Sequence, residues 1–97
     1  MQPKAIGLLR LDTTDDRKRD EQVIADLVSK GGYDFAGLLT IKPDTYMPTT
    51  LVVETVHKLG ATAILTPDFD HFGGAVRAVS LACELVTPYG TVPRSEP

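Results

Sequence analysis

Six aspartates stand where the apolar runs of this 97-residue chain give out: Asp12, Asp15 and Asp16 after the first, Asp44 after the second, Asp68 and Asp70 after the third. Carboxylate oxygens are the ligands a hard cation such as Mg²⁺ prefers. If the runs are strands of one parallel sheet, their carboxyl ends share one edge, and the aspartates line one rim. In open α/β sheets that edge is where ligands bind. Aspartate is also favoured in turns and at helix starts, where its side chain bonds nearby backbone N–H groups. Both readings stand. Under the first, the metal ligands are Asp12, Asp15, Asp16 and Asp68.

Other chemistries find less support. The loop after the first run has no glycine, and neither G-x-x-x-x-G-K-[ST] nor G-x-G-x-x-G occurs. Its aspartates would repel an anion, so a phosphate cradle is not expected. No serine sits in the nucleophile-elbow pattern G-x-S-x-G. His57, His71 and Cys83 fall at no recognised metal spacing. His57 is expected on a solvated helix face and Cys83 in the core. Gly73-Gly74 suits a tight entry into a helix.

The elements that must carry these residues follow from hydrophobic period. Lys4–Leu11 reads as a strand buried on both faces, because Ala5, Ile6, Leu8, Leu9 and Leu11 are nearly continuous. Asp16–Lys30 reads as a helix with Val23, Ile24, Leu27 and Val28 on one face. Asp15 or Asp16 caps it, the charged run Arg17–Glu21 is solvated, and Gly31-Gly32 ends it. Tyr33–Ile41 is a second strand. A second helix starts at Pro48, buries Leu51, Val52, Val56 and Leu59, and closes at Gly60. Ala61–Thr66 is a third strand, and Asp68–Gly74 a loop. Phe72, Val76, Val79, Cys83 and Val86 alternate spacings of four and three, which predicts a third helix over Gly74–Val86. Tyr89–Arg94 adds a short fourth strand, and Ser95–Pro97 is a tail. Alternating helices and strands imply a three-layer α/β fold, flavodoxin- or Rossmann-like, with a parallel sheet of three or four strands.

Length limits the chain to one domain, residues 1–97. Ten basic against thirteen acidic residues give a net charge of −3, without the basic footprint of a free-standing nucleic-acid binder. A single cysteine forms no intrachain disulfide. No apolar run reaches the ~18 residues of a membrane span, and the start, MQPKAIG, lacks the regions of a signal peptide. A cytoplasmic protein without membrane contact is expected.

Two segments, in order and spacing, resemble the catalytic domain of serine recombinases, the resolvase and invertase family. The family's first strand reads roughly Y-x-R-V-S-T-x-x-Q, and Leu8–Asp16 occupies that register. The family's L-D-R-L-G-R falls on Phe69–Gly74, and Gly60-Ala61 matches its G-A before the third strand. The resemblance spans Lys4–Val92. Arg10 and Asp70 match the family arginine and aspartate. Asp12 holds the place of the nucleophilic serine, Asp16 that of the glutamine, and His71 and Gly74 those of two later arginines. The family joins its serine to a DNA phosphate, with arginines stabilising the developing charge. A carboxylate in the serine's place, with two cations lost, implies a degenerate site at Arg10, Asp12, Asp70 and His71 that does not cut DNA. The family's long dimerisation helix and DNA-binding domain have no counterpart in these residues.

The expectation is therefore a catalytically inactive resolvase-like domain, regulatory or assembling, with weak DNA contact through a small face and no cofactor. One alternative is an Mg²⁺-dependent enzyme, or a phosphoacceptor similar to response-regulator receiver domains, whose acids also follow strand one. Another is a small-ligand module at the same rim. A homodimer is expected through the third helix, where Ala75, Ala78, Leu81, Ala82 and Leu85 add a second apolar face.

Overall fold

A computed structural model describes residues 2–95. The elements are β1 (Lys4–Arg10), α1 (Arg17–Gly31), β2 (Asp34–Ile41), α2 (Pro48–Leu59), β3 (Ala63–Leu65), a 3-10 turn (Phe69–Phe72), α3 (Val76–Ser80), β4 (Glu84–Thr87) and β5 (Gly90–Val92). One sheet of five strands runs in the order β2-β1-β3-β4-β5. The first four strands are parallel, and β5 folds back antiparallel on β4. The chain is thus α/β with a mostly parallel sheet, one strand larger than expected. Among the described residues no helix is long and apolar enough to cross a membrane.

The sheet's pleat sorts its side chains into two layers. Ala5, Ala63 and Leu65 pack with Ile24 of α1 on one face. Ile6, Leu8, Ile64 and Leu85 pack with Val52 and Val56 of α2, and with Phe72 and Val79, on the other. Successive residues of a strand point to opposite faces, so an all-apolar strand needs cover on both. At Gly7 a Cβ would meet Leu38 and Ile24 side-chain carbons at 2.9 and 3.0 Å, so the missing side chain lets α1 settle close on the sheet.

The first two helices follow their caps. Asp16 accepts from the Arg19 amide at 3.2 Å, and Gly32 closes α1 in the left-handed conformation at φ 66. α2 has Pro48 in its first turn and closes at Gly60, φ 68. His57 is exposed.

The predicted third helix over Gly74–Val86 is not what forms. The helix is five residues long, and Glu84–Thr87 is a strand. Cys83, Leu85 and Thr87 are buried in alternation, the period of a strand. Cys83 and Val86 matched the helical spacing because three residues of strand also return an apolar pair. Thr87-Pro88-Tyr89-Gly90 then makes the hairpin, with the Thr87 hydroxyl donating to the Gly90 carbonyl at 3.0 Å. Leu85 is fully buried in the core, not on a second helix face. Of the residues expected on that second apolar face, Leu85 is thus taken into the sheet, whereas Leu81 is 53% exposed. Of the predicted tail, Ser95 is held: its amide donates to the Ser80 carbonyl at 2.8 Å. Glu96 and Pro97 lie outside the described residues.

Candidate functional site

The chain leaves β1 for β2 on one side and returns to β3 on the other, so β1 and β3 flank the point where the winding reverses. Ligands of doubly wound sheets bind outside the carboxyl ends of the strands at such a point. A cleft of about 590 Å³ opens here. Thr13 and Asp15 line it from the β1 loop, Arg19, Asp20 and Val23 from α1, Asp68, Asp70 and His71 from beyond β3, and Pro88 and Tyr89 from the hairpin.

His71 is positioned by the shortness of β3. Pairing of β1 with β3 stops at Gly7 opposite Leu65. The backbone groups of β1 beyond that point still face the β3 side and need partners, because buried backbone polar groups are almost always bonded. Two side chains take over from the missing strand. The Thr66 hydroxyl donates to the Leu8 carbonyl at 3.0 Å. The Arg10 amide donates to His71 Nδ1 at 2.8 Å. Thr66 and His71 are 0% and 3% exposed.

An accepting Nδ1 carries no proton, so neutral His71 is the Nε2–H tautomer. Nε2 lies 4.0 Å from Asp20 Oδ2. Thr14 donates its hydroxyl to the same Asp20 oxygen. Burial lowers the His71 pKa below its ordinary value, and the charges of Asp20, Asp68, Asp70 and Asp12 oppose this only in part. His71 is thus a neutral acceptor that ties the end of β1 to the loop after β3.

Asp20 was expected on the solvated charged face of α1. It is 7% exposed. The signal lay in the period: Asp20 stands four residues before Ile24 and seven before Leu27, on the helix's apolar stripe. A carboxylate on that stripe faces inward.

Arg10 and Asp12 of the degenerate recombinase-like set do meet. Arg10 Nε lies 3.1 Å from Asp12 Oδ1, and the guanidinium passes over Gly73. Gly73 takes φ 58, and a Cβ there would overlap Arg10 Nη1. Gly73→Ala is therefore expected to cost about 1–2 kcal/mol from the left-handed backbone, and to push the guanidinium off Asp12. Chemical denaturation measures the first effect, and the Arg10 Nε–H resonance reports the second.

Arg10, Asp12 and His71 come together, and Asp70 lies on the cleft side of the same 3-10 turn. The six-aspartate rim does not close as one ring. Asp15, Asp68 and Asp70 line the cleft. Asp12 turns to Arg10, Asp16 caps α1, and Asp44 is exposed in the loop after β2 without lining the cleft. Asp68 also accepts from the Asp70 amide at 2.9 Å. Among the described residues, no group of three or more His, Cys, Asp or Glu side chains is arranged to hold a metal ion. The cleft presents four carboxylates against one guanidinium, a field that favours cations over phosphate.

No family model matches the chain, and no curated protein or solved structure is significantly similar to it.

Proposed function

We propose that the chain is a non-catalytic, resolvase-like α/β domain that acts by binding, as a regulatory or assembly protein. The observation that carries this reading is the Arg10–Asp12 pair at 3.1 Å. In the recombinase pattern the residue at Asp12 is the nucleophile and Arg10 is a cation of the site. Here the two neutralise each other. His71, at the place of a second arginine, is uncharged and spends its Nδ1 on the sheet. A phosphodiester entering beside them meets Asp15, Asp68 and Asp70. Little is left to attack a phosphate or to stabilise the charge that attack creates.

The test is exposure of the purified protein to supercoiled DNA, followed by a search for nicks and covalent protein–DNA adducts. None are expected. Asp12→Ser is expected to stay inactive as well, since serine alone restores neither lost arginine. An adduct from the natural chain would overturn the proposal. Weak, salt-sensitive association would not, because phosphate contacts need only a few cations.

One further reading has a specific observation behind it. The cleft's 590 Å³ falls within the range of small-ligand pockets, and it sits at the switch point of the sheet. A small cationic ligand, or Mg²⁺ as its simplest case, suits the carboxylates. Amide shifts of Asp15, Asp68 and Asp70 during an Mg²⁺ titration separate the two readings. Saturable shifts confined to these residues support a binding cleft, and their absence leaves the first reading alone.

A further inference from the structure

His71 has a second nitrogen that the sheet does not use. Its Nδ1 faces β1 and accepts from the Arg10 amide. Its Nε2 faces the other way, toward α1, where Asp20 Oδ2 stands 4.0 Å off. That separation is too long for a hydrogen bond, and among the described residues Nε2 makes none. The side chain is nonetheless only 2% exposed. Among the described residues every buried side-chain nitrogen and oxygen has a hydrogen-bond partner. An Nε2–H without one is therefore not sealed in. It opens on the cleft, which His71 and Asp20 both line.

An N–H beside a carboxylate selects what fits between them. A nitrogen that carries its proton does not ligate a metal ion, and it does not pair with an ammonium, which is a donor only. Nε2–H requires an acceptor, and Asp20 Oδ2 takes a donor. A hydroxyl group is both. One hydroxyl oxygen at ordinary hydrogen-bond distance from each atom spans the 4.0 Å. The Thr14 hydroxyl already donates to the same Asp20 oxygen and holds that carboxylate in place. A carboxylate oxygen has room for a second donor.

The rest of the cleft suits a cation. Asp15, Asp68 and Asp70 line it, and among the described residues none of the three is in an ion pair. Tyr89 lines it from the β4–β5 hairpin and is 78% exposed, an aromatic face open to a ring or an ammonium. The volume of about 590 Å³ is far more than a metal ion fills, and it holds a six-membered ring with its substituents.

We propose that the cleft binds a polyhydroxylated amine of the amino-sugar class, with one hydroxyl bridging His71 Nε2 and Asp20 and the ammonium held among Asp15, Asp68 and Asp70. This inference rests on the small-ligand reading of the cleft and names its ligand class.

Titration of the ¹⁵N-labelled full chain with D-glucosamine, cyclohexylamine and D-glucose, at constant pH and ionic strength, tests it. The three share a ring size. The first carries both groups, the second only the cation, the third only hydroxyls. D-glucosamine is expected to shift the amides of Asp15, Asp68 and Asp70 and the His71 Nε2–H together, with one Kd of about 1 mM. It should bind about tenfold more tightly than either control. Asp70→Asn, which has no side-chain hydrogen bond to lose, should weaken it about threefold with an unchanged circular dichroism spectrum. Cyclohexylamine as tight as D-glucosamine, with the His71 ring unmoved, would overturn the hydroxyl bridge. D-glucose as tight, or an Asp70→Asn protein of natural affinity, would overturn the ammonium site. Shifts with Mg²⁺ but none with D-glucosamine would overturn the proposal and leave the small-ligand reading standing. No saturable shift with any of them, Mg²⁺ included, would end both.

Discussion

His71→Ala is expected to destabilise the protein by about 3 kcal/mol, the sum of an unsatisfied buried donor and a partly collapsed cavity. The reason is the place of the ring. The Arg10 amide has His71 Nδ1 as its partner at 2.8 Å, at a point where β3 has already ended. Removing the ring leaves that N–H without an acceptor and empties a site that is 3% exposed. Urea denaturation of the two proteins measures the loss. The same geometry fixes a pH dependence. Burial lowers the His71 pKa in the folded protein, whereas the unfolded chain takes its proton near the ordinary value of about 6.5. The folded state therefore binds the proton less readily than the unfolded one. His71 contributes stability fully above about pH 6.5, and that contribution drains as pH falls toward the lower, folded value. Protonation would also turn Nδ1 into a donor facing the Arg10 N–H, so the bond itself is lost. Asp20, Asp68, Asp70 and Asp12 lessen the effect without reversing it. In the His71→Ala protein the stability slope between pH 6.5 and 5 should flatten. An equal slope in both proteins would contradict the assignment.

Cys83 gives the second large effect. Its side chain is 0% exposed between α3 and β4, and burial pushes the thiol up to about 12. The Arg94 charge pulls the other way, but less strongly. The reactive species is the thiolate. At pH 8 a thiol near pKa 9 has about a tenth of its population ionised, and one near 12 about a ten-thousandth. Alkylation of the folded protein is therefore expected to be slower than that of the denatured chain by about a thousandfold. Mass spectrometry of iodoacetamide-treated samples, with and without denaturant, reads the ratio. A folded protein alkylated at the denatured rate would show that β4 does not pack as described. The linkage has the opposite sense to that of His71. The folded state keeps the thiol proton longer, so this contribution to stability is lost as pH rises above the ordinary thiol range.

What could be read in the chain beforehand depended on how local the cause was. β1, α1, β2 and α2 announce themselves through uninterrupted apolar period and through caps a few residues away, such as Asp16, Gly32, Pro48 and Gly60. The segment after Gly74 did not. Its spacing from Phe72 to Val86 has helical period, but the run Leu85-Val86-Thr87 before Pro88-Tyr89-Gly90 is strand and turn chemistry. Pairing with β3 and β5 decided between them, and that is a long-range contact no local window contains.

The site divides in the same way. The positions of Arg10 and Asp12, two residues apart at the end of a strand, were visible from order alone, and the two do meet. The burial of Asp20 was written in its place on the apolar stripe but hidden by four charged neighbours. The role of His71 could not be read at all. It arises because β3 stops three residues short of where β1 stops, leaving the Arg10 amide to be met by a side chain from 61 positions away. Asp12 and Asp16 drop out of the carboxylate rim for local reasons, an arginine two residues back and a first-turn helix amide three residues on. Topology placed the rim, and the short-range bonds of Asp12 and Asp16 take those two out of it.

The proposed non-catalytic role rests on the polar groups beside Arg10 being spent on one another and on the sheet. The long-range ¹H–¹⁵N correlation spectrum of the His71 ring at pH 7 tests this most directly. A neutral ring with its proton on Nε2, and Nδ1 shifted as a hydrogen-bond acceptor, is the predicted result. A ring protonated on both nitrogens, or one with its proton on Nδ1, would break the bond from Arg10 and contradict the account.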